Sequence, residues 1–195
     1  SQKFSETIST FEEKCQIGEN DLYVCSLIRS DSIDEFITYV NRTNFSLSTK
    51  IQPSIYETHS FLIENEPTLI EYAAFFGSIQ IIQYLKYNNI PLTFSLWPYT
   101  IHSNNPELIH LLEENVENEE NKTSFSNKKK KKKDNINIKE PFDDILIESI
   151  KCHHNDISNY IKDNLIEQNQ IDNQKFNDAI VNSLNFFFFP DEIES

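Results

Sequence analysis

The stretch TLIEYAAFFGSIQIIQYL, residues 68–85, decides the fold. It predicts two short helices separated by a turn at Gly77, since glycine readily adopts the left-handed backbone conformation that ends a helix. The first helix carries the alanine pair 73–74, where a neighbouring helix can approach closely. The second helix carries an apolar stripe at helical spacing, formed by Ile81, Ile82 and Leu85. One such helix pair cannot bury its stripe alone, so the stretch predicts that pairs stack on one another.

Three further segments repeat this order of a short apolar helix, a helix-breaking residue and a second helix. Their first helices are predicted at residues 22–28, 96–101 and 145–150. Their helix-breaking residues are Asp31, Asn104 and His153. Asp and Asn tolerate left-handed geometry next best after Gly, and His fits this position least well. A fifth first helix is predicted at residues 176–184.

Residues 68–85 resemble the ankyrin consensus. Thr68 stands at its threonine, the pair 73–74 at its alanines and Gly77 at its turn glycine. Its Glu-Ile-Val and Leu-Leu positions are occupied by residues 80–82 and 84–85. The stretch departs from the consensus at residues 69–71, where Leu-Ile-Glu replaces Pro-Leu-His.

The chain from about residue 21 to residue 160 is similar to divergent ankyrin-like domains of unknown function from protists. The resemblance implies an all-α, ankyrin-like helical repeat solenoid with enlarged loops. We expect about four degenerate repeats over residues 21–185, an N-terminal segment at 1–20 and a tail at 186–195. Such a solenoid presents an extended concave face and projecting loops, which favours docking to a protein partner.

Two insertions are predicted from the uneven spacing of the helix-breaking residues, compared with an ankyrin period of about 33 residues. The first, roughly residues 44–66, stands where ankyrin repeats place a β-finger, so we predict an enlarged finger or an irregular loop. The second, about residues 116–140, is a low-complexity segment that ends in polylysine. Its few apolar residues cannot offset the entropy of ordering, which predicts a solvated loop.

Composition favours a helical fold. The chain of 195 residues holds 15 Phe and 8 Tyr, which are scarce in disordered proteins, and only 2 Gly. So little glycine argues against hairpin-rich β folds and glycine-lined phosphate loops. With 17 basic and 31 acidic residues the net charge is −14, which disfavours binding to nucleic acids and anionic membranes.

Four residues are candidates for contact with a protein partner: Tyr56, Glu57, His59 and Trp97. The first three lie on the predicted finger, and the alternative for them is an inert loop. Trp97 is the only tryptophan, and the favoured alternative for it is buried packing between repeats. The run of phenylalanines at 186–189 predicts packing on the last repeat, or else an association or a continuation of the chain beyond it.

No catalytic, metal-binding or cofactor-binding site is predicted. Three widely spaced cysteines, Cys15, Cys25 and Cys152, indicate neither a disulfide framework nor a zinc site. His153 and His154 follow Cys152, but adjacent residues on a helix point about 100° apart and cannot easily share one ion. Motifs for nucleophilic or zinc-dependent catalysis are missing, and no small-molecule substrate is evident. We therefore expect a protein that is not an enzyme.

A basic run provides the alternative function. It consists of Lys128, Lys129, Lys130, Lys131, Lys132 and Lys133. Such runs are typical of nuclear targeting or of association with nucleic acid, so an adaptor that acts through this loop is the second hypothesis. No apolar stretch approaches the roughly 20 residues of a membrane span. We expect a cytoplasmic protein, or a nuclear one if the lysine run is read as a signal.

Overall fold

A computed structural model describes residues 2–115, 141–166 and 172–188 of the chain. Within those residues all regular secondary structure is helical, apart from one isolated antiparallel bridge between Lys50 and Thr68. The predicted all-α class is therefore confirmed. The chain divides into two compact units, residues 1–96 and 97–195, and each unit is described by itself.

The first unit is built from two stacked helix pairs with an N-terminal helix. Its helices are α1 (Gln2–Ile17), α2 (Tyr23–Arg29), α3 (Ile33–Thr43), α4 (Ser60–Asn65), α5 (Leu69–Phe75) and α6 (Ile79–Tyr87). Helices α2 and α3 form one pair, and α5 and α6 form the other. Helix α2 packs beside α5 and α3 beside α6, so first helix lies against first helix and second against second.

Within the residues that the structure describes, the second unit contains five α-helices. Its helices are α7 (Leu96–Ser103), α8 (residues 106–115), α9 (Pro141–Lys151), α10 (Asn155–Asn164) and α11 (Asn173–Ser183), followed by a short 3₁₀ helix (Phe186–Phe188). Helix α7 begins at the boundary residue and continues into this unit. Helix α9 packs against both α10 and α11. The fifth first helix predicted from the sequence is confirmed as α11.

The four predicted helix-breaking residues all adopt left-handed backbone conformations. Their φ angles are 47° at Asp31, 67° at Gly77, 51° at Asn104 and 59° at His153. Leu184, after α11, repeats the conformation with a φ of 54°. A left-handed residue turns the chain out of the helix, and the prediction of these turns is confirmed.

A shared hydrogen-bond pattern closes four of these turns. The N–H group of the residue after the break donates to a carbonyl in the last helical turn, at 2.9–3.1 Å. The donor and acceptor pairs are Ser32 and Leu27, Ser78 and Ala73, His154 and Ser149, and Asn185 and Ile180. This satisfies carbonyl groups that a helix end otherwise leaves without partners.

Neighbouring elements of the stack are joined by the same type of side-chain bond in both units, between two helix pairs in the first and between the α9–α10 pair and α11 in the second. In the first unit the Ser78 hydroxyl donates to the Ile28 carbonyl at 2.6 Å. In the second unit the Asn185 amide donates to the Ile150 carbonyl at 3.0 Å. Each donor directly follows a left-handed residue, and each acceptor lies near the end of the preceding first helix. Both units therefore stack their elements in the same register.

Asp31 adds a second link between the pairs of the first unit. Its carboxylate accepts hydrogen bonds from the backbone N–H groups of Gln80 and Ile81, each at 3.0 Å. These groups belong to the first turn of α6, where N–H groups have no partner within the helix. Asp31, which separates the two helices of the first pair, therefore caps the second helix of the next pair.

The insertion at residues 44–66, called the finger from here on, is a loop that carries α4. Its two ends are held together by hydrogen bonds from Ile51 N–H to the Pro67 carbonyl and from Leu69 N–H to the Thr49 carbonyl, at 2.8 and 3.0 Å. The finger lies against Gly18, whose carbonyl accepts from the Thr58 hydroxyl at 2.8 Å. The second predicted insertion, residues 116–140, lies outside the described residues.

Two features favour glycine at position 18, namely its left-handed backbone and its close approach to Thr58. Its φ of 70° is left-handed, and a Cβ atom there would lie 2.7 Å from the Thr58 hydroxyl oxygen. A side chain larger than hydrogen would have to displace the Thr58 side chain and would strain the left-handed backbone.

The phenylalanine run at the end of the described chain is only partly packed. The ring of Phe188 lies edge-on to that of Phe176, with 5.9 Å between centroids. Phe186 and Phe187 are exposed. Phe189 lies outside the described residues.

Candidate functional site

Tyr56, the first candidate on the finger, packs on the N-terminal helix. Its ring lies edge-on to that of Phe11, with 5.6 Å between centroids, and the Lys14 ammonium stands 5.2 Å from its centroid. Lys14 also pairs with Asp21 at 2.9 Å. Tyr56 is half-buried by these contacts, so it serves to hold the finger against α1.

Glu57 and His59 are also engaged within the first unit. The Glu57 carboxylate accepts from the backbone N–H groups of Asn20 at 3.3 Å and His59 at 3.0 Å. The His59 ring lies edge-on to that of Phe75, with 4.6 Å between centroids, although the residue as a whole is exposed. Of the three finger candidates, His59 offers the most surface to a partner.

Trp97 lies in the core of the second unit. It is 1% exposed, and its ring meets that of Phe142 edge-on, with 5.2 Å between centroids. A ring at this depth offers no surface to a partner in this conformation. Buried packing, the favoured alternative for this residue, accounts for its position.

A cleft of about 270 Å³ opens in the finger, and Asn20 and Tyr72 of α5 complete its lining. Its apolar lining includes Ile51, Pro53, Ile55, Leu62, Ile63 and Pro67. Ile55 and Ile63 are 84% and 54% exposed, so two large aliphatic side chains stand open at this cleft. A contiguous apolar patch is typical of surfaces that bind another molecule, and these two side chains line the same cleft. The sequence singles out neither residue, since Ile55 lies outside any helix and the short helix α4, which carries Ile63, shows no apolar stripe of its own.

The polar groups beneath this cleft are paired. Asn20 is buried, and its amide donates to the Gln52 carbonyl at 2.9 Å while its side-chain oxygen accepts from the Leu22 N–H at 3.1 Å. The Arg29 guanidinium donates to the Tyr72 hydroxyl at 2.9 Å. Burial raises the pKa of Tyr72, so its hydroxyl stays neutral at physiological pH. These groups fix the cleft, and nothing in their arrangement resembles a nucleophile with its base.

A second cluster lies in the second unit and joins His102, Glu148 and Cys152. The His102 Nε2 atom is 3.1 Å from Glu148 Oε1, and the His102 Nδ1 atom is 3.5 Å from Cys152 Sγ. All three side chains are half-buried. The sequence places Cys152 next to His153 and His154, yet the histidine that faces it is His102. Nothing in a single sequence pairs positions so far apart.

The protonation of this cluster argues against a reactive thiol. Burial raises the pKa of Cys152 to about 12, and the Glu148 carboxylate adds to the effect. The hydrogen bond from His102 holds the pKa of Glu148 below its ordinary value. The thiol is therefore protonated at neutral pH, which is unsuitable for nucleophilic catalysis. Within the described residues, this is the one group of three side chains that together could hold a metal ion.

Comparisons of the chain with protein-family models, with curated proteins and with solved structures find no match. Among the helices of residues 2–115, 141–166 and 172–188, none combines the length and the apolar character needed to cross a bilayer. The lysine run at 128–133 lies outside the described residues.

Proposed function

We propose that this chain is a non-catalytic scaffold that binds a protein partner through an ankyrin-like array of helix pairs and its loops. The observation that carries the proposal is the repeated junction between elements, in which Ser78 bonds to the Ile28 carbonyl and Asn185 to the Ile150 carbonyl. Serial stacking in one register is the construction of solenoid proteins, which bind partners with extended surfaces and projecting loops.

The turn before α5 also supports an ankyrin-like repeat. Glu71 stands where the ankyrin consensus has histidine, and its carboxylate accepts from the Thr68 N–H at 2.8 Å and the Thr68 hydroxyl at 2.7 Å. The other carboxylate oxygen accepts from the Ser95 hydroxyl at 2.7 Å. Thr68 is therefore bonded by a glutamate, Glu71, at the position where the ankyrin consensus has a histidine.

The finger cleft is the surface that we propose for docking. Ile55 and Ile63 present apolar area of the kind that anchors a partner in a protein complex. The chain has a net charge of −14, and the exposed Glu66 lies at the cleft. A partner segment with one apolar anchor and basic flanking residues suits both properties.

Partner capture from a lysate with site-specific crosslinking tests the proposal. A photoreactive residue at position 55 identifies the partner, and the double variant Ile55→Asp/Ile63→Asp then measures the contribution of the cleft. Loss of an anchor at the centre of an interface costs about 2 kcal/mol or more, so we expect affinity for the identified partner to fall at least about tenfold. Tyr87→Asp is the matched control, because Tyr87 is 87% exposed in the same unit and lies away from the cleft lining.

Deletion of residues 128–133 separates the proposal from the alternative of an adaptor that acts through the lysine run. The scaffold proposal requires capture to survive the deletion and to be lost in the double variant. Capture that is lost with the lysines and retained in Ile55→Asp/Ile63→Asp contradicts it.

A further inference from the structure

The cluster of His102, Glu148 and Cys152 brings two helices of the second unit together. His102 lies near the end of α7, Glu148 lies on α9, and Cys152 directly follows the last residue of α9. The Cys152 N–H donates to the Glu148 carbonyl at 3.0 Å, which extends the helical pattern by one residue. Residues four positions apart share one helix face, so the thiol and the carboxylate point to the same side, toward His102.

The histidine nitrogen lies almost at the distances from its two neighbours that a metal ion requires. One donor atom from each residue lies within 4.8 Å of the others. The His102 Nε2 atom is 3.1 Å from Glu148 Oε1 and 3.9 Å from Cys152 Sγ. Tetrahedral Zn²⁺ has bonds of about 2.0–2.3 Å, which place its ligand atoms roughly 3.3–3.7 Å apart. Side-chain adjustments of less than an ångström bring the nitrogen to the required distance from the other two atoms.

We propose that His102, Glu148 and Cys152 bind a divalent transition metal ion of the Zn²⁺ type, with a water molecule in the fourth position. The imidazole supplies Nε2, the carboxylate supplies Oε1, and the thiol supplies Sγ after its proton has passed to solvent. One thiolate and one carboxylate then balance the two positive charges of the ion. A set of one sulfur, one nitrogen and one oxygen suits Zn²⁺ and not Mg²⁺ or Ca²⁺, which take oxygen ligands.

The surroundings of the cluster fit an ion that enters from solvent. None of the three side chains is fully buried, so water and ions can reach them. The Lys151 ammonium holds the other oxygen of Glu148, Oε2, at 3.2 Å, which leaves Oε1 directed at His102. Outer hydrogen bonds of this kind orient metal ligands. The bound ion clamps α7 to α9, so it stabilises the folded second unit.

Cobalt binding to the metal-free full-length chain tests the proposal. The protein is treated with a chelator, dialysed and titrated with Co²⁺ while its absorption is recorded. We expect one equivalent of Co²⁺ to produce a thiolate-to-cobalt charge-transfer band and visible bands of tetrahedral intensity. Zn²⁺ should then remove both sets of bands, because it competes for the same three ligands.

Cys152→Ser and Cys15→Ser form a matched pair of variants. Cys15 is an exposed thiol on α1, so it controls for weak binding of the ion at any accessible cysteine. Replacing Cys152 removes a direct ligand, and loss of a mere orienting group already weakens metal affinity by about 10–100-fold. We expect Cys152→Ser to lose the charge-transfer band and at least about 100-fold in affinity, and Cys15→Ser to match the parent chain.

Glu148→Gln provides a second variant of nearly the same shape, and circular dichroism without metal verifies that each variant is folded. Zn²⁺ should raise the Tm of the parent chain and of Cys15→Ser, and raise it much less in Glu148→Gln and Cys152→Ser. The proposal is overturned if the parent chain shows no charge-transfer band, or if the band survives in Cys152→Ser. An equal rise in Tm for the parent chain and Glu148→Gln overturns it as well.

Discussion

The two junctions between stacked elements use the same backbone geometry with different side chains. In the first unit Gly77 is left-handed and Ser78 bonds to the Ile28 carbonyl; in the second, Leu184 is left-handed and Asn185 bonds to the Ile150 carbonyl. Asn185 also donates to the Asn155 side chain at 2.8 Å. The junction is thus specified by its turn and its buried donor, and not by one residue type.

The junctions differ in how their apolar residues are covered. In the first unit the second helix α6 has its aliphatic stripe fully buried, with Leu85 at 0% exposure. In the second unit Val181 and Leu184 are 56% and 62% exposed. The same register therefore accompanies a fully buried stripe on α6, and on α11 a buried pair, Ala179 and Ile180, followed by exposed aliphatic side chains. Burial, rather than the turn, should set how much each residue stabilises the fold.

The largest expected difference comes from trimming an aliphatic side chain at each junction. Leu85→Ala removes a fully buried side chain and should lower the free energy of unfolding by about 2–5 kcal/mol. Val181→Ala removes an exposed one and should change it by no more than about 0.5 kcal/mol. Urea denaturation followed by circular dichroism measures both. Equal losses would mean that the exposed side of α11 is covered in solution.

The buried donors should have similar and smaller effects. Ser78→Ala and Asn185→Ala each remove a hydrogen bond to a carbonyl, and we expect losses of about 0.5–1.5 kcal/mol. The loss should be the larger for Asn185→Ala, because that residue also bonds to Asn155. The same denaturation experiment measures both variants. If either variant keeps the stability of the parent chain, the hydrogen bond removed in it does not stabilise the junction.

Substitutions at the two left-handed residues should change the free energy of unfolding in opposite directions, because one removes a glycine and the other introduces one. Gly77→Ala adds a Cβ at a φ of 67° and should lower stability by about 1 kcal/mol. Leu184→Gly relieves the same strain at a φ of 54°, and its exposed side chain gives up little burial. We expect a gain of about 0.5 kcal/mol after the greater chain entropy of glycine is included. Thermal unfolding of both variants measures the contrast, and a loss of stability in Leu184→Gly would contradict it.

The smallest effect is expected from Asp143, which stands at the third position of α9 as Glu71 stands at the third position of α5. Both oxygens of Glu71 accept hydrogen bonds, whereas Asp143 Oδ1 is buried without a partner among the described residues. Burial and the neighbouring Asp144 raise the pKa of Asp143. Its ionisation therefore costs stability as the pH rises through the raised pKa, although the start of a helix favours negative charge.

Asp143→Asn should accordingly raise the Tm slightly at pH 7. The gain should vanish below the ordinary Asp pKa of about 3.9, where the parent side chain is already neutral. Glu71→Gln should lower the Tm at pH 7, because an amide nitrogen cannot accept the bonds that a carboxylate oxygen accepts. A gain for Asp143→Asn that is the same at pH 3 and pH 7 would contradict the electrostatic cause.

The order of helices and turns was readable from residue types. Asp31, Gly77, Asn104 and His153 were predicted as helix-breaking residues, and all four adopt left-handed geometry. This worked because apolar periodicity and turn preference are local properties of the chain. The turn at Leu184 is not predicted by the sequence, since leucine has no preference for left-handed geometry; in the structure the next residue, Asn185, bonds to the Ile150 carbonyl.

The candidate sites were less accessible to sequence reasoning. The sequence predicts Tyr56 and Glu57 as exposed finger residues, but the finger folds back and engages them with Phe11 and Asn20. The exposed pair at the cleft, Ile55 and Ile63, carried no pattern that distinguishes it from the core. Whether an isoleucine is buried depends on what packs over it, and that is decided by residues distant in the chain.

By itself the sequence determined the helical class, the helix pairs and the positions where the chain reverses, because each follows from the preferences of neighbouring residues. Only the tertiary structure decided that Trp97 lies in a core, that the finger rests on Gly18 and that His102 faces Cys152. The physical reason is that packing joins residues without regard to their separation along the chain. Local preference sets the elements, and the side chains that meet between elements set the chemistry.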